Sequence, residues 1–265
     1  MENLIRPSVA VAIFVIMVTW EYLSPRRIQH IERKQRWLVN LGLALANLAL
    51  MRLTIGSLAY MSAVWAAENG LGLLNIWALT NAVSIVATLL ILDFAIYAQH
   101  IMMHKSSLLW RLHKIHHTDM EFDATTAVRF HPLEIVISML YKTFCIVLIG
   151  ADPVAVIVFE IILNGAATFN HSNINIPEII NKKLCWLIVT PDMHRIHHSA
   201  EPDETDSNYG FSISCWDRLC RTYKAKSRHP QTTLAIGLKA YRRQAELGFM
   251  ALLRLPFKSQ NSRNH

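Results

Sequence analysis

The chain has 265 residues, 52% of them hydrophobic and only 17% charged, with a mean hydropathy of +0.26. A soluble domain carries about 25% charged residues, so this composition argues against one or two ordinary soluble domains. The net charge of +7 sits beside apolar segments and in the C-terminal tail, not in an aromatic-interleaved patch, which suits anionic lipid and argues against nucleic acid. Cys145, Cys185, Cys215 and Cys220 have neither CxxC nor zinc-finger spacing and read as reduced thiols.

Five apolar runs reach or approach the about 20 residues that a bilayer crossing needs: residues 8–23, 38–60, 73–98, 133–150 and 154–170. The first follows Arg6 with no small-residue cleavage site and reads as a retained anchor. After it, Arg26, Arg27, Arg33, Lys34 and Arg36 mark a cytoplasmic loop, whereas residues 66–72 and 151–153 hold no Lys or Arg. Residues 100–131 and 171–265 are then cytoplasmic too. Trp20, Trp37, Trp65 and Trp77 flank these loops as an interfacial belt would. The last two runs share the turn Gly150-Ala151-Asp152-Pro153 and read as a helical hairpin, short for a full crossing. Lys142 and Glu160 are equally far from that turn on antiparallel helices, which predicts that they pair. Residues 233–255 read as an amphipathic helix, packed on the cytoplasmic part or lying on the membrane surface.

Twelve of the thirteen histidines fall in the two cytoplasmic stretches, and ten of them carry the pattern that follows. His100 and His104 are spaced i, i+4; His113, His116 and His117 are spaced i, i+3, i+4, and His194, His197 and His198 repeat that pattern. On helices each set shares one face. His131 and His171 stand singly. Neutral imidazoles packed this densely leave ring nitrogens without partners, and protonated ones repel; divalent metal removes both problems. An ion takes about four to six ligands, so a set of this size implies two ions. Imidazole suits zinc, copper, iron and nickel alike, and ligand number leaves that choice open.

Two polar stripes lead from the membrane toward the histidines. Asp93, Tyr97, His100 and His104 fall on one face of the third segment, and Glu160, Asn164 and His171 on one face of the fifth. Asp93 and Tyr97 are therefore candidate supporting residues for a ligand. Arg52 and Asn47 on the second segment read as bundle-facing polar residues.

The stretches DFAIYAQHIMMH, LWRLHKIHH, TTAVRFHPLE, FNHSNI, TPDMHRIHHS and SNYGFSISCWDRLCRTY resemble the fatty acid hydroxylase/sterol desaturase superfamily of membrane-bound, histidine-rich di-iron oxygenases. The resemblance runs from about Asp93 to Tyr223. It implies membrane hairpins under a cytoplasmic cap and two iron ions, which zinc can replace in a purified sample. The implied ligands are His100, His104, His113, His116, His117, His171, His194, His197 and His198, with His131 as a tenth; Asn170 and Asn208 join Asp93 and Tyr97 as supporting candidates. Ile101 stands where many bacterial members have Arg, and Cys220-Arg221 replaces the usual Phe-Gly.

The reading is an all-α, multi-pass membrane bundle of helical hairpins with a cytoplasmic histidine-rich di-metal cap. Residues 1–99 hold the first membrane segments, 100–132 a histidine-rich stretch, 133–170 the hairpin, and 171–265 the rest of the cap and the tail, all one catalytic unit. The expected activity is hydroxylation of a lipid C–H bond with dioxygen. Its electrons come from an external ferredoxin-, rubredoxin- or cytochrome b5-type donor with reductase, since the chain has no GxGxxG, iron–sulfur cysteines or haem motif. Desaturation on the same centre, a zinc-dependent membrane hydrolase and a non-enzymatic metal-binding or transport protein are the rivals. The resemblance favours a bacterial inner membrane over the endoplasmic reticulum.

Overall fold

The computed structural model describes residues 2–258 apart from 55, 78 and 79, with side chains from Arg6 onward, so those three positions of the expected second and third segments and residues 259–265 of the tail lie outside the described residues. Its helices are α1 (Glu2–Leu23), α2 (Arg33–Leu53), α3 (Leu58–Glu68), α4 (Leu73–Ile76), α5 (Asn81–Lys105), α6 (Ser107–His117), α7 (Pro132–Ile149) and α8 (Pro153–Asn170). Five short ones follow: α9 (Glu178–Leu184), α10 (Pro191–His197), α11 (Pro202–Thr205), α12 (Cys215–Leu219) and α13 (Phe249–Arg254). Among the described residues there are isolated β-bridges but no strands. The protein is an all-helical, multi-pass membrane bundle with five stretches long and apolar enough to cross a bilayer. Their outer faces expose Val11, Leu45, Val86, Leu140 and Val158, as lipid-facing surfaces do.

Four of the five crossings are single helices; the second is broken. α2 begins well before the apolar run because its first turns belong to the polar cap. Arg36, fully buried, donates to both oxygens of Asp119 (2.7 and 2.8 Å) and to Asp123 (2.6 Å). One turn on, Asn40 donates to Asp119 and Thr125 and accepts from Arg129 (2.6 Å), and Asn47 donates to the Phe130 carbonyl. α2 is thereby spent before the far side of the bundle, and α3 supplies the remainder. Ala59 and Ala63 of α3 pack with Ile146, Ile149, Val156 and Phe159 of the hairpin.

The hairpin turn follows from its residues. Gly150 closes α7 at φ +66, Asp152 caps α8 by accepting from the Ala155 amide (2.8 Å), and Pro153 opens it. Gly72 lies directly on this turn: a Cβ there would stand 2.1 Å from the Gly150 nitrogen. The two loops without Lys or Arg therefore sit side by side. Eighteen residues in each of α7 and α8 give about 27 Å at 1.5 Å per residue, close to the roughly 30 Å hydrocarbon core. Within the hairpin Lys142 and Glu160 pair as the depth argument predicts, and Arg6 of α1 binds the same carboxylate from the other side.

At the opposite end the loop after α1 is fastened to the cap. Arg26 binds Asp192, Arg27 donates to the Leu234 carbonyl, and Glu21 accepts from the amides of Ala124 and Asn173. The expected helix over 233–255 is not formed as one element: the chain crosses the cap through a turn at Leu238–Tyr241 and one turn of 3-10 helix at Gln244–Glu246 before α13. Leu234 and Ile236 are buried against Phe122, and Leu247 and Leu252 against Leu43 and Ile115, a spacing that a wrapped segment meets and a single helical face does not.

Arg221 adopts φ +61, the left-handed region in which a side chain costs about 1–2 kcal/mol and which Gly enters freely. This accounts for the glycine that the resemblance leads one to expect there. Because Gly also gains entropy in the unfolded chain, Arg221→Gly should stabilise by about 0.5–1 kcal/mol. Thermal unfolding in detergent should show a raised midpoint.

Candidate metal centre

Nine histidines are carried to one place by four helix ends. α5 brings His100 and His104 in its last turns. Ser106 caps α6 by accepting from the Leu109 amide, which fixes the start of the helix holding His113, His116 and His117. His171 is the residue that ends α8. Thr190 caps α10 with Pro191 in its first turn, so His194 and His197 fall on one face and His198 closes the helix.

The rings divide into two groups: His100, His104, His113, His117 and His197 in one, and His116, His171, His194 and His198 in the other. Within each group one ring nitrogen per residue lies within 4.8 Å of all the others, and every residue is buried. Each HxxHH motif is shared between the groups. His113 and His117 enter the first while His116 enters the second; His194 and His198 enter the second while His197 enters the first. Helical geometry accounts for the division, since i and i+4 stack along one line and i+3 is rotated away from it.

The proton positions decide what these groups can hold. His100 donates from Nδ1 to the Tyr209 carbonyl (2.8 Å), and His113 donates from Nδ1 to Glu134 (2.6 Å). Their Nε2 atoms are then bare lone pairs, yet face each other at 3.2 Å. His171 likewise donates from Nδ1 to the Ala167 carbonyl, and its Nε2 lies 3.0 Å from His116 and 3.1 Å from His194. His197 donates from Nδ1 to the Ser207 carbonyl, leaving Nε2 without a partner. His104 Nε2 and both ring nitrogens of His117 and His198 are also buried without hydrogen bonds among the described residues. Burial, reinforced by the neighbouring imidazoles, holds His116, His117, His194 and His198 well below the usual histidine range. It brings His171 to about 4 and His197 to about 3. Converging lone pairs on neutral rings, with the outer nitrogens donating to carbonyls and a carboxylate, fit a divalent cation in each group.

The remaining expected site residues stand apart from the ring nitrogens. His131 is in neither group, which corrects its expectation as a tenth ligand. It caps α7, accepting on Nδ1 from the Leu133 amide (3.1 Å), and its Nε2 donates to the Leu253 carbonyl (3.2 Å). Asp93 accepts from the Trp216 indole (2.8 Å) and the Ile213 amide, and Asn170 donates to the Phe211 carbonyl, so both fasten residues 211–216. Asn208, at φ +52, donates to the carbonyls of Met193 and Lys224. Tyr97 bonds Thr222, which donates to Asp217; that carboxylate in turn takes the amides of Tyr209 and Gly210. Tyr97 thus reaches His100 through this chain, which sets the Tyr209 carbonyl.

Glu134 and the carbonyls of Ala167, Ser207 and Tyr209 are the ring partners that sequence reasoning missed. Glu134 had a signal, a carboxylate at the start of α7 in the HPLE stretch. A carbonyl belongs to every residue and leaves no sequence signal. Phe130, stacked on His116 at 4.5 Å, and Phe122, against His171 and His198, wall the second group.

Residues 85–222, which contain all nine clustered histidines, match the fatty acid hydroxylase family. The chain belongs to that family. Among its relatives, the ornithine lipid hydroxylase OlsE of Rhizobium tropici is 27% identical over 66% of this chain and 51% of its own length. Alkylglycerol monooxygenases of Xenopus tropicalis and Homo sapiens are 32% and 28% identical over 51% of this chain and 29% of their own lengths. The chain therefore spans about half, or less, of the curated relatives it matches. No solved structure matches it.

Purified protein should hold two metal ions per chain, one for each histidine group. His197→Ala and His194→Ala should each release one of them, while His131→Ala retains both. Metal analysis by mass spectrometry decides this, and loss of metal from His131→Ala would restore that residue as a ligand. Removing the Glu134 carboxylate as Glu134→Gln should weaken metal binding about 10–100-fold.

Stability of the metal-free chain should depend on pH with a definite sign. His171 and His197 take up protons in the unfolded chain near pH 6.5 but in the folded chain only near 4 and 3. Their contribution is present above the unfolded value and lost as pH falls toward the folded values. The unfolding midpoint of stripped protein should fall steadily from pH 7 to pH 5, and a flat profile would contradict neutral rings.

Proposed function

We propose that the protein is a membrane-bound di-iron oxygenase that hydroxylates a C–H bond of a lipid. The observation that carries the reading is the pair of buried histidine groups at the end of a lipid-exposed bundle. Iron rather than zinc is the cofactor, because zinc has no redox chemistry and the named relatives are a lipid hydroxylase and monooxygenases. The five- and four-histidine groups would hold two ferrous ions, which would supply the redox chemistry for dioxygen activation. The balanced reaction takes the lipid C–H, dioxygen, two electrons and two protons to a lipid C–OH and water.

The chain's own residues hold that centre. Tyr209, Ser207, Ala167 and Glu134 fix the protons of four rings on their outer nitrogens. Phe122 and Phe130 exclude water from the second group. Residues 1–99 and 133–170 supply the bundle and residues 100–132 and 171–265 the cap, acting as one unit. Electrons come from an external ferredoxin-, rubredoxin- or cytochrome b5-type donor with its reductase. The Lys/Arg bias supports a cap on the cytoplasmic side, and a bacterial inner membrane suits the ornithine lipid hydroxylase relative.

Membranes containing the protein, loaded with ferrous iron and given a donor chain and isotopically labelled dioxygen, should yield a lipid carrying one labelled oxygen. His197→Ala membranes should not. Loss of two hydrogens without oxygen gain would identify a desaturase, and turnover without dioxygen would favour hydrolysis.

A further inference from the structure

Several large apolar side chains lie exposed outside the five crossings, in the stretch after α8 that forms the cap. Ile179, Trp186, Leu187 and Leu219 are 74, 68, 70 and 70% exposed, and Ile180 and Ile188 of the same stretch are exposed as well. Single apolar residues on a surface are ordinary, but a concentration of this kind marks an interaction site.

Contacts on two sides fix the depth of this segment. On one side Leu184, at the end of α9, packs against the cluster of Met17, Ile174 and Ile176, together with Phe14 and Val18 of α1. Met17 lies six residues before the end of α1, about 9 Å down that helix. On the other side Ile188 bridges Ile213, the Ser214 amide donates to the Leu187 carbonyl, and Trp216 packs edge-on against Phe94 of α5 at 5.1 Å. Phe94 lies six residues before His100, again about 9 Å along its helix. At these levels α1 exposes Val15 and Ile16, and α5 exposes Ile91 and Phe94. Residues 178–188 thus hang between two crossings at a depth where both turn apolar side chains to lipid.

The inner side of the segment is already occupied. Cys185 and Val189 are buried with Met193 of α10, and the Val189 amide donates to the Ser212 carbonyl (3.0 Å). Trp186 and Leu187 point away from these contacts, and Arg218 lies over the rings of Trp186 (4.7 Å) and Tyr223 (3.9 Å).

We propose that residues 178–188, with Leu219, form a wedge seated in the lipid leaflet on the cap side, so that the cap is partly embedded in the membrane. The partner of the exposed apolar surface is phospholipid, because that surface continues the lipid-facing walls of α1 and α5. Trp186 is a ring type that membrane interfaces favour, and Lys183 and Arg218 place positive charge where anionic headgroups lie. Thr190, which caps α10, follows the wedge directly, so the wedge also sets the level of His194, His197 and His198 relative to the bilayer. The inference is independent of the reaction that the histidines serve.

Photolabelling of the unsubstituted full chain in phosphatidylcholine nanodiscs tests the wedge. A carbene precursor carried on the lipid acyl chain should label Trp186, Leu187 and Leu219 as it labels Val158 on the lipid-facing side of α8, and should spare Ala240, exposed on the cap. A water-soluble carbene precursor should give the reverse pattern, and mass spectrometry of peptides reads both. Water-phase labelling of Leu187 and Leu219 as strong as that of Ala240 would overturn the wedge. Absence of label from either phase would assign the surface to a second copy or another protein, and would overturn it equally. Adding phosphatidylglycerol should shield the Lys183 amine severalfold from a water-soluble acylating reagent while Lys239 on the cap is unaffected; unchanged modification of Lys183 would overturn the headgroup contact.

Discussion

Much of this structure answers one electrostatic constraint: nine imidazoles are buried together with ring nitrogens facing one another. Water cannot reach them, and protonation is opposed by burial and by the neighbouring rings. Cations that accept lone pairs from several rings at once meet the constraint, and rings aimed at a cation need their other nitrogen held. Hence the hydrogen bonds to carbonyls and to Glu134 around the outside of the cluster.

Two of those outer partners, Ser207 and Tyr209, lie on a segment with little regular structure, which must itself be fixed. Residues 207–222 are held from within by Asp217, which takes the amides of Tyr209 and Gly210, and by Asp93 and Asn170 from helices remote in sequence. Residues 118–131 are held by the buried Arg36, Asn40 and Arg129 against Asp119, Asp123 and Thr125. Burial alone would raise the Asp119 carboxyl, but Arg36 beside it holds it well below the usual range. Breaking such a pair from one side typically costs about 3–5 kcal/mol, so this network is rigid enough to frame a metal site.

The same network reshapes the membrane part. With the first turns of α2 committed to the cap, one helix cannot finish the crossing, and the chain restarts at α3 against the hairpin. Gly72 on Gly150 then locks the far end, where any side chain would collide with backbone. The break is thus a consequence of how the cap is anchored.

Local pattern determined much of this in the sequence itself. Apolar runs of membrane length gave the crossings, Gly150 to Pro153 gave the hairpin, and equal distances from its turn gave the Lys142–Glu160 pair. The i, i+3, i+4 spacings gave the histidine faces, because a helix fixes which residues share a side. Tertiary structure alone decided how the nine rings divide, since that depends on the packing of α5, α6, α8 and α10 ends. It turned His131 from ligand to cap, because the same residue type serves either role until its neighbours are known. It made Arg6 a second partner of Glu160 and broke the second crossing. Each of these joins residues far apart along the chain, and sequence spacing carries angle and depth within one helix but not the rotation of one helix against another.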